Sequence, residues 1–136
     1  VGSEMCIRDS FDIDHFKNIN DTFGHQAGDY VLATIPKILD EKIIPPLCTF
    51  GRWGGEEFII IYPDHNLHSA IQLGEKLRSM IESFHFNFES QDINVTISVG
   101  CVEYKNGMDA MSLFKQADIA MYKAKKSGRN RVCSNA

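Results

Sequence analysis

The stretch Arg52-Trp53-Gly54-Gly55-Glu56-Glu57-Phe58-Ile59-Ile60-Ile61-Tyr62 constrains this chain more than any other. Two consecutive glycines between aromatic and apolar flanks predict a β-hairpin whose two-residue loop needs positive φ, and the pattern places that loop at Gly54-Gly55. Phe58 to Tyr62 is apolar, β-branched and short, as a buried strand is. Two carboxylates, Glu56 and Glu57, therefore stand at the mouth of a rigid strand. Successive strand side chains point to opposite faces, so the two acids are expected to have different roles unless the turn twists them together. Glycines beside acids also let a phosphate and its cation come close to the backbone, because no Cβ blocks the approach.

Gly-Gly-Glu-Glu alone is a short motif and also describes an ordinary charged hairpin tip. A second acidic element lies upstream: Phe11-Asp12-Ile13-Asp14-His15-Phe16-Lys17-Asn18-Ile19-Asn20-Asp21, followed by Phe23-Gly24-His25-Gln26-Ala27-Gly28-Asp29. Together with the hairpin, these motifs in this order resemble the GGDEF family, the diguanylate cyclases, here in a Gly-Gly-Glu-Glu-Phe form. The resemblance spans nearly all of residues 11 to 133. It implies an α/β (α+β) fold with a central, mostly antiparallel sheet flanked by helices, of the nucleotidyl cyclase and polymerase palm type with a ferredoxin-like core.

At 136 residues, with a hydrophobic fraction of 43% and a charged fraction of 24%, the chain has the size and composition of one globular domain with a real core. No apolar run approaches the length of a membrane span, and residues 1 to 10 carry Glu4, Arg8 and Asp9 rather than a signal-peptide core, so the cytoplasm is the expected compartment. The four cysteines are widely spaced without a CxxC pair, which makes free buried thiols the expectation and argues against a zinc site. A net charge of -4 argues against a general nucleic-acid binder. It leaves room for a nucleotide, because Lys123, Lys125, Lys126, Arg129 and Arg131 concentrate positive charge locally.

Residues 1 to 10 do not alternate or cluster as a buried strand would, and are expected to be a poorly ordered or foreign leading segment, with the domain proper at residues 11 to 136. Asp12 to Asp14 should end a truncated central strand. Phe16, Ile19 and Phe23 predict a short helix closed by Gly24. A second helix follows over roughly Ala27 to Lys42, kinked or broken near Pro36 and ended by Pro45-Pro46. After the hairpin, Asn66 should cap a helix running to about Phe84. Phe84 to Gln91 reads as a loop, Ile93 to Cys101 as one alternating strand, Met111 to Lys126 as the last helix and Arg131 to Ser134 as a short final strand.

The resemblance assigns the chemistry. It implies Asp12, the backbone carbonyl of Ile13 and Glu56 as ligands of magnesium (or manganese), a hard cation that keeps waters and substrate phosphates in its shell. It makes Glu56 also the group that activates a 3'-hydroxyl, with Glu57 beside it, while Asp14 matches the motif without being a direct ligand. Lys17, one helical turn past the strand end, would stabilise charge developing on a triphosphate, or else be simply solvated. Asn20 and Asp29 resemble the family's guanine readers, an amide and a carboxylate matching the acceptor and donor edges of the base. His25 fits a positioning or ribose-side contact, or a helix cap. Gly54 and Gly55 would lie against the nucleotide, and Lys125 and Arg129 resemble the late basic pair that grips the terminal phosphates. Cations at a helix C-terminus are favourable in any case.

The implied reaction is condensation of two GTP molecules to cyclic di-GMP and pyrophosphate, one GTP per chain, which requires a homodimer with facing sites and an attached sensory domain to bring it together. The contrasting reading is a catalytically silent GTP-binding or partner-binding signalling module. A third is a related enzyme that makes another cyclic dinucleotide or accepts ATP. Many family members carry an Arg-x-x-Asp product-inhibition site just before the hairpin; the corresponding window, Pro45 to Cys48, reads Pro-Pro-Leu-Cys, so feedback through it is not expected.

Overall fold

Alternation along the first strand, β1 (Cys6–Ile13), decides the architecture: Ile7, Asp9, Phe11 and Ile13 face one side of a sheet, and Arg8, Ser10 and Asp12 face the other. The computed structural model describes residues 6–39, 48–63 and 65–135. After β1 come α1 (Phe16–Phe23), α2 (His25–Ile38), β2 (Thr49–Gly54), β3 (Glu57–Pro63), α3 (Leu67–Ser83), β4 (Phe86–Phe88), β5 (Gln91–Ile93), β6 (Ile97–Glu103), α4 (Ala110–Lys126) and β7 (Arg131–Ser134). Five strands form one sheet in the order β2-β3-β1-β6-β7. Only the β6–β7 pair is parallel; β1 is antiparallel to both its neighbours. The fold is thus the expected mixed α/β sandwich with a mostly antiparallel sheet.

One face carries the main core: Phe11, Phe58, Ile60, Tyr62 and Val99 pack with Val31 and Ile35 of α2 and Ala70, Leu77 and Ile81 of α3. The other is covered by α4 through Ala117 and Ala120 against Val102. Gly100 makes that contact close. A Cβ there would collide with the α4 backbone at Ala120 and Met121. Covered on both sides, β6 is buried along nearly its whole length rather than half-buried. No helix among the described residues is long and apolar enough to cross a membrane.

Several boundaries differ from the sequence expectations. Cys6 to Ser10 are part of the central strand, hydrogen-bonded on both edges, so ladder pairing overrides the poor strand pattern of Arg8-Asp9-Ser10. Residues 1–5 lie outside the described residues, as do 40–47, which include Lys42 and Pro45-Pro46. The second helix carries Pro36 and stops at Ile38, within three residues of it. Phe84 to Gln91 is not simply a loop: β4 and β5 form a small hairpin of their own, turning through Glu89 and Ser90 at φ 51° and 67°. The alternating strand expected from Ile93 consequently divides into β5 and β6. The helix caps follow expectation, with Asn66 Oδ1 accepting from the Ser69 N–H at 2.8 Å, and Gly24 (φ 96°) closing α1.

Candidate active site

The hairpin loop sits one residue later than expected, at Gly55-Glu56, with Gly54 paired to Glu57 across it. A register shift between Arg52 and Gly54 absorbs Trp53 as an extra residue, and only Gly55 of the two glycines has positive φ, at 55°. This shift separates the two glutamates. Glu56 lies in the turn, its carbonyl accepting the Ile13 N–H at 3.3 Å, whereas Glu57 begins β3 directly opposite Asp12. The expected division of roles thus has a geometric basis.

Asp12, Ile13, Lys17, Glu56, Lys125 and Arg129 line one concavity of about 200 Å³ where β1 ends. Four separate segments converge there. Lys125, in the last turn of α4, donates through Nζ to Asp12 Oδ2 at 2.7 Å. Burial pushes the Asp12 carboxyl above its ordinary pKa; the Lys125 hydrogen bond opposes this, and the charges of Glu56 and Asp14 reinforce it. The Glu57 carboxyl is likewise raised, first by burial and then by Asp118 and Asp12, and its Oε2 is buried with no hydrogen-bond partner among the described residues. Lys17 is almost fully exposed and, among the described residues, pairs loosely with Asp21 at 3.7 Å, so its ammonium can move. Arg129 follows α4 in a left-handed conformation (φ 62°), with its N–H bonded to the Ala124 carbonyl at 2.9 Å.

Asp14 is a scaffold. Its Oδ1 accepts from Ser98 Oγ at 2.6 Å, and its Oδ2 accepts from Thr96 Oγ1 at 2.7 Å and from the Asn130 N–H at 3.0 Å. These bonds tie the end of β1 to β6 and to the segment after α4, which bring Asp12 and Arg129 into the lining of the concavity. Sequence reading singled out Asp14 but not Thr96, Ser98 or Asn130. The one available signal was that Thr96 and Ser98 occupy the polar positions of an alternating run.

Asn20, His25, Asp29, Gly54 and Gly55 are not in the lining of this concavity. Asn20 does have a prepared place: α2 presents bare backbone to it at Gly28, where a Cβ would overlap Asn20 Oδ1. His25 and Asp29 stand exposed on the first turns of α2.

Among the described residues no group of three His, Cys, Asp or Glu side chains surrounds a metal position. The donor chemistry still suits magnesium or manganese. The charge of Glu56 raises the proton affinity of Asp12, which a cation between them would relieve, and two carboxylates plus a carbonyl leave room for the water and phosphate ligands these ions retain.

A central strand ending in an acid beside an acid-bearing hairpin, on a largely antiparallel sheet backed by helices, is the palm-type arrangement of nucleotidyl cyclases. Within that class, the chain belongs to the diguanylate cyclase GGDEF domain family, which matches residues 10–131. It is 42% identical over 122 residues to diguanylate cyclase A of Treponema denticola, covering 89% of this chain and 33% of that protein. The chain therefore spans about a third of that relative's length. Among solved structures, it is similar to the GGDEF domain of DgcB from Caulobacter crescentus in complex with c-di-GMP, with a TM-score of 0.90 and 34% identity over 96% of this chain and 78% of that one. It is similar also to the active GGEEF domain of a diguanylate cyclase from Vibrio cholerae, with a TM-score of 0.88 and 36% identity over 98% and 84%.

Proposed function

We propose that this domain condenses two GTP molecules into cyclic di-GMP with release of two pyrophosphates, each chain holding one GTP. The observation that carries the reading is the convergence of Asp12, from the end of β1, and Glu56, from the hairpin turn, on one concavity rimmed by Lys17, Lys125 and Arg129. Asp12, Glu56 and the Ile13 carbonyl would hold the divalent ion, which when bound neutralises phosphate charge and favours departure of pyrophosphate. Glu56, in the turn of the hairpin, accepts the proton of the 3'-hydroxyl. Lys17, Lys125 and Arg129 orient the triphosphate and stabilise the charge that develops on the leaving pyrophosphate. Asn20 and Asp29 read guanine from the α1–α2 side, with His25 between them, and Gly54 and Gly55 leave the hairpin backbone open to the nucleotide.

Each 3'-oxygen attacks the α-phosphorus of the other nucleotide, so two P–O bonds form as two break, and the reaction needs a second copy facing the first. We place this chemistry in the cytoplasm, with dimerisation governed by a sensory domain and without inhibition through the Pro45–Cys48 window. Incubating concentrated protein with GTP and magnesium, followed by chromatography, tests the reading, with Glu56→Ala alongside. Cyclic di-GMP from the parent and none from the variant is expected. Bound GTP without product, even after fusion to a dimerisation helix, would instead establish the silent binding module.

A further inference from the structure

The strand register sets Asp12 directly opposite Glu57 on the α4 face of the sheet. Like charges so placed repel, and both side chains are partly removed from water. Two cations face them. Arg8 lowers the proton affinity of Glu57 by its charge, with its guanidinium 5.8 Å and 5.4 Å from the ring centres of Trp53 and Phe114, but it makes no ion pair with Asp12 among the described residues. Lys125 is the one that touches: its ammonium lies 2.7 Å from Asp12 Oδ2, and its charge also draws down the proton affinity of Glu57. It reaches there on a flexible stem from the last turn of α4, one-third exposed, from within the concavity that also holds Arg129 and Lys17.

An ammonium on Asp12 Oδ2 and a divalent cation on that carboxylate compete for the same charge and the same lone pairs. We infer that Lys125 is a resident counter-ion that occupies Asp12 until a divalent cation displaces it, and that this displacement releases the lysine to the triphosphate. The inference rests on the metal and GTP site proposed above. It gives Lys125 two successive partners rather than one. Metal binding and triphosphate binding are then linked: each favours the state in which Lys125 has left Asp12, so each tightens the other. An apo domain also keeps its opposed acids neutralised, which a site built only to receive metal would not do.

The unaltered chain provides the first test. Lysine acetylation is followed by mass spectrometry without additions, with saturating manganese, and with manganese plus a GTP analogue whose α,β-bridge cannot be cleaved. Lys123 and Lys126, exposed on the same helical turn, are internal controls. Labelling of Lys125 should rise several-fold with manganese alone and fall again with the analogue. Unchanged labelling with manganese bound overturns the inference.

The second test is calorimetry with manganese alone. Lys125→Met should bind the ion on the order of tenfold more tightly than the parent, as expected for loss of a competing charged hydrogen bond. Lys125→Arg, which keeps the charge, should resemble the parent. Unchanged or weaker binding by folded Lys125→Met overturns the exchange while leaving the site itself intact. Failure of the parent to bind manganese even with the analogue present would remove both the site and the inference. If Lys125→Met does not fold, the acetylation result decides.

Discussion

Asp9 and Asp14 stand five residues apart on the same central strand and its exit, and both are buried, at 0% and 6% exposure. Their surroundings are opposite. Asp14 is met by two hydroxyls and a backbone N–H, from Thr96, Ser98 and Asn130, which satisfy both its oxygens. Asp9 points into the main core, where Tyr62 donates to Oδ2 at 3.0 Å, the Cys101 thiol adds a weak bond, and Oδ1 has no partner among the described residues. Burial pushes the Asp9 carboxyl up to about 7. A buried acid is thus not evidence of function by itself. The donors around it separate a scaffold of the site from a liability of the core. Asp9 falls in residues 1 to 10, expected from sequence to be a poorly ordered or foreign leading segment, and stands instead in the central strand, paired on both edges.

The largest effect should come from removing the well-partnered acid. Asp14→Ala strands two hydroxyls and the Asn130 N–H, and should destabilise the domain by about 3 kcal/mol while abolishing cyclic di-GMP formation, because β1 is no longer tied to β6. Denaturant unfolding and product chromatography measure the two consequences. A cost below that of an ordinary surface substitution would break the comparison outright.

The opposite sign is expected in the core. Asp9→Leu combined with Tyr62→Phe replaces both halves of a poor polar contact by apolar groups, and should gain about 2 kcal/mol at pH 8. The gain depends on pH in a defined direction. With its pKa near 7 in the folded state and near the ordinary 3.8 in the unfolded chain, Asp9 binds a proton in the folded state that the unfolded chain has lost. Its favourable contribution is complete below about pH 4 and is lost as pH rises through 7, by up to a few kcal/mol. Tyr62, Cys101 and Cys48 are the titratable groups that couple to it, and all three resist ionisation there. The double variant should therefore pull ahead of the parent as pH rises from 5 to 8. An equal margin at both values would mean that Asp9 is not the cause.

What could be read in advance follows the same division. The acid-bearing hairpin, the exit of β1 and the basic end of α4 were legible because each is a local motif with its own chemistry. The hairpin loop was misplaced by one residue because the bulge at Trp53 depends on pairing across the sheet, not on the two glycines. The β4–β5 turn was missed because Glu89 and Ser90 adopt left-handed backbone without the Gly or Asn that announces it. The beginning of β1 was missed because its extended form is imposed by two neighbouring strands. The Asp14 network was invisible for a related reason: its partners lie 82, 84 and 116 residues away along the chain, and nothing short of the fold brings them together.

That network can be dissected further, with smaller effects. Ser98 is fully buried and donates the shorter bond, so Ser98→Ala should cost about 1.5 kcal/mol, since one carboxylate oxygen loses the hydroxyl that donates to it. Thr96 is only partly buried, and Asp14 Oδ2 keeps the Asn130 N–H when its hydroxyl is removed, so Thr96→Val should cost about 0.5 kcal/mol. Because both donors serve one carboxylate, the double variant should depart from the sum of the two, and unfolding of all three variants measures that coupling. Strict additivity would mean that the two hydroxyls act independently. Coupling would show that both act through the one carboxylate that also accepts the Asn130 N–H after α4.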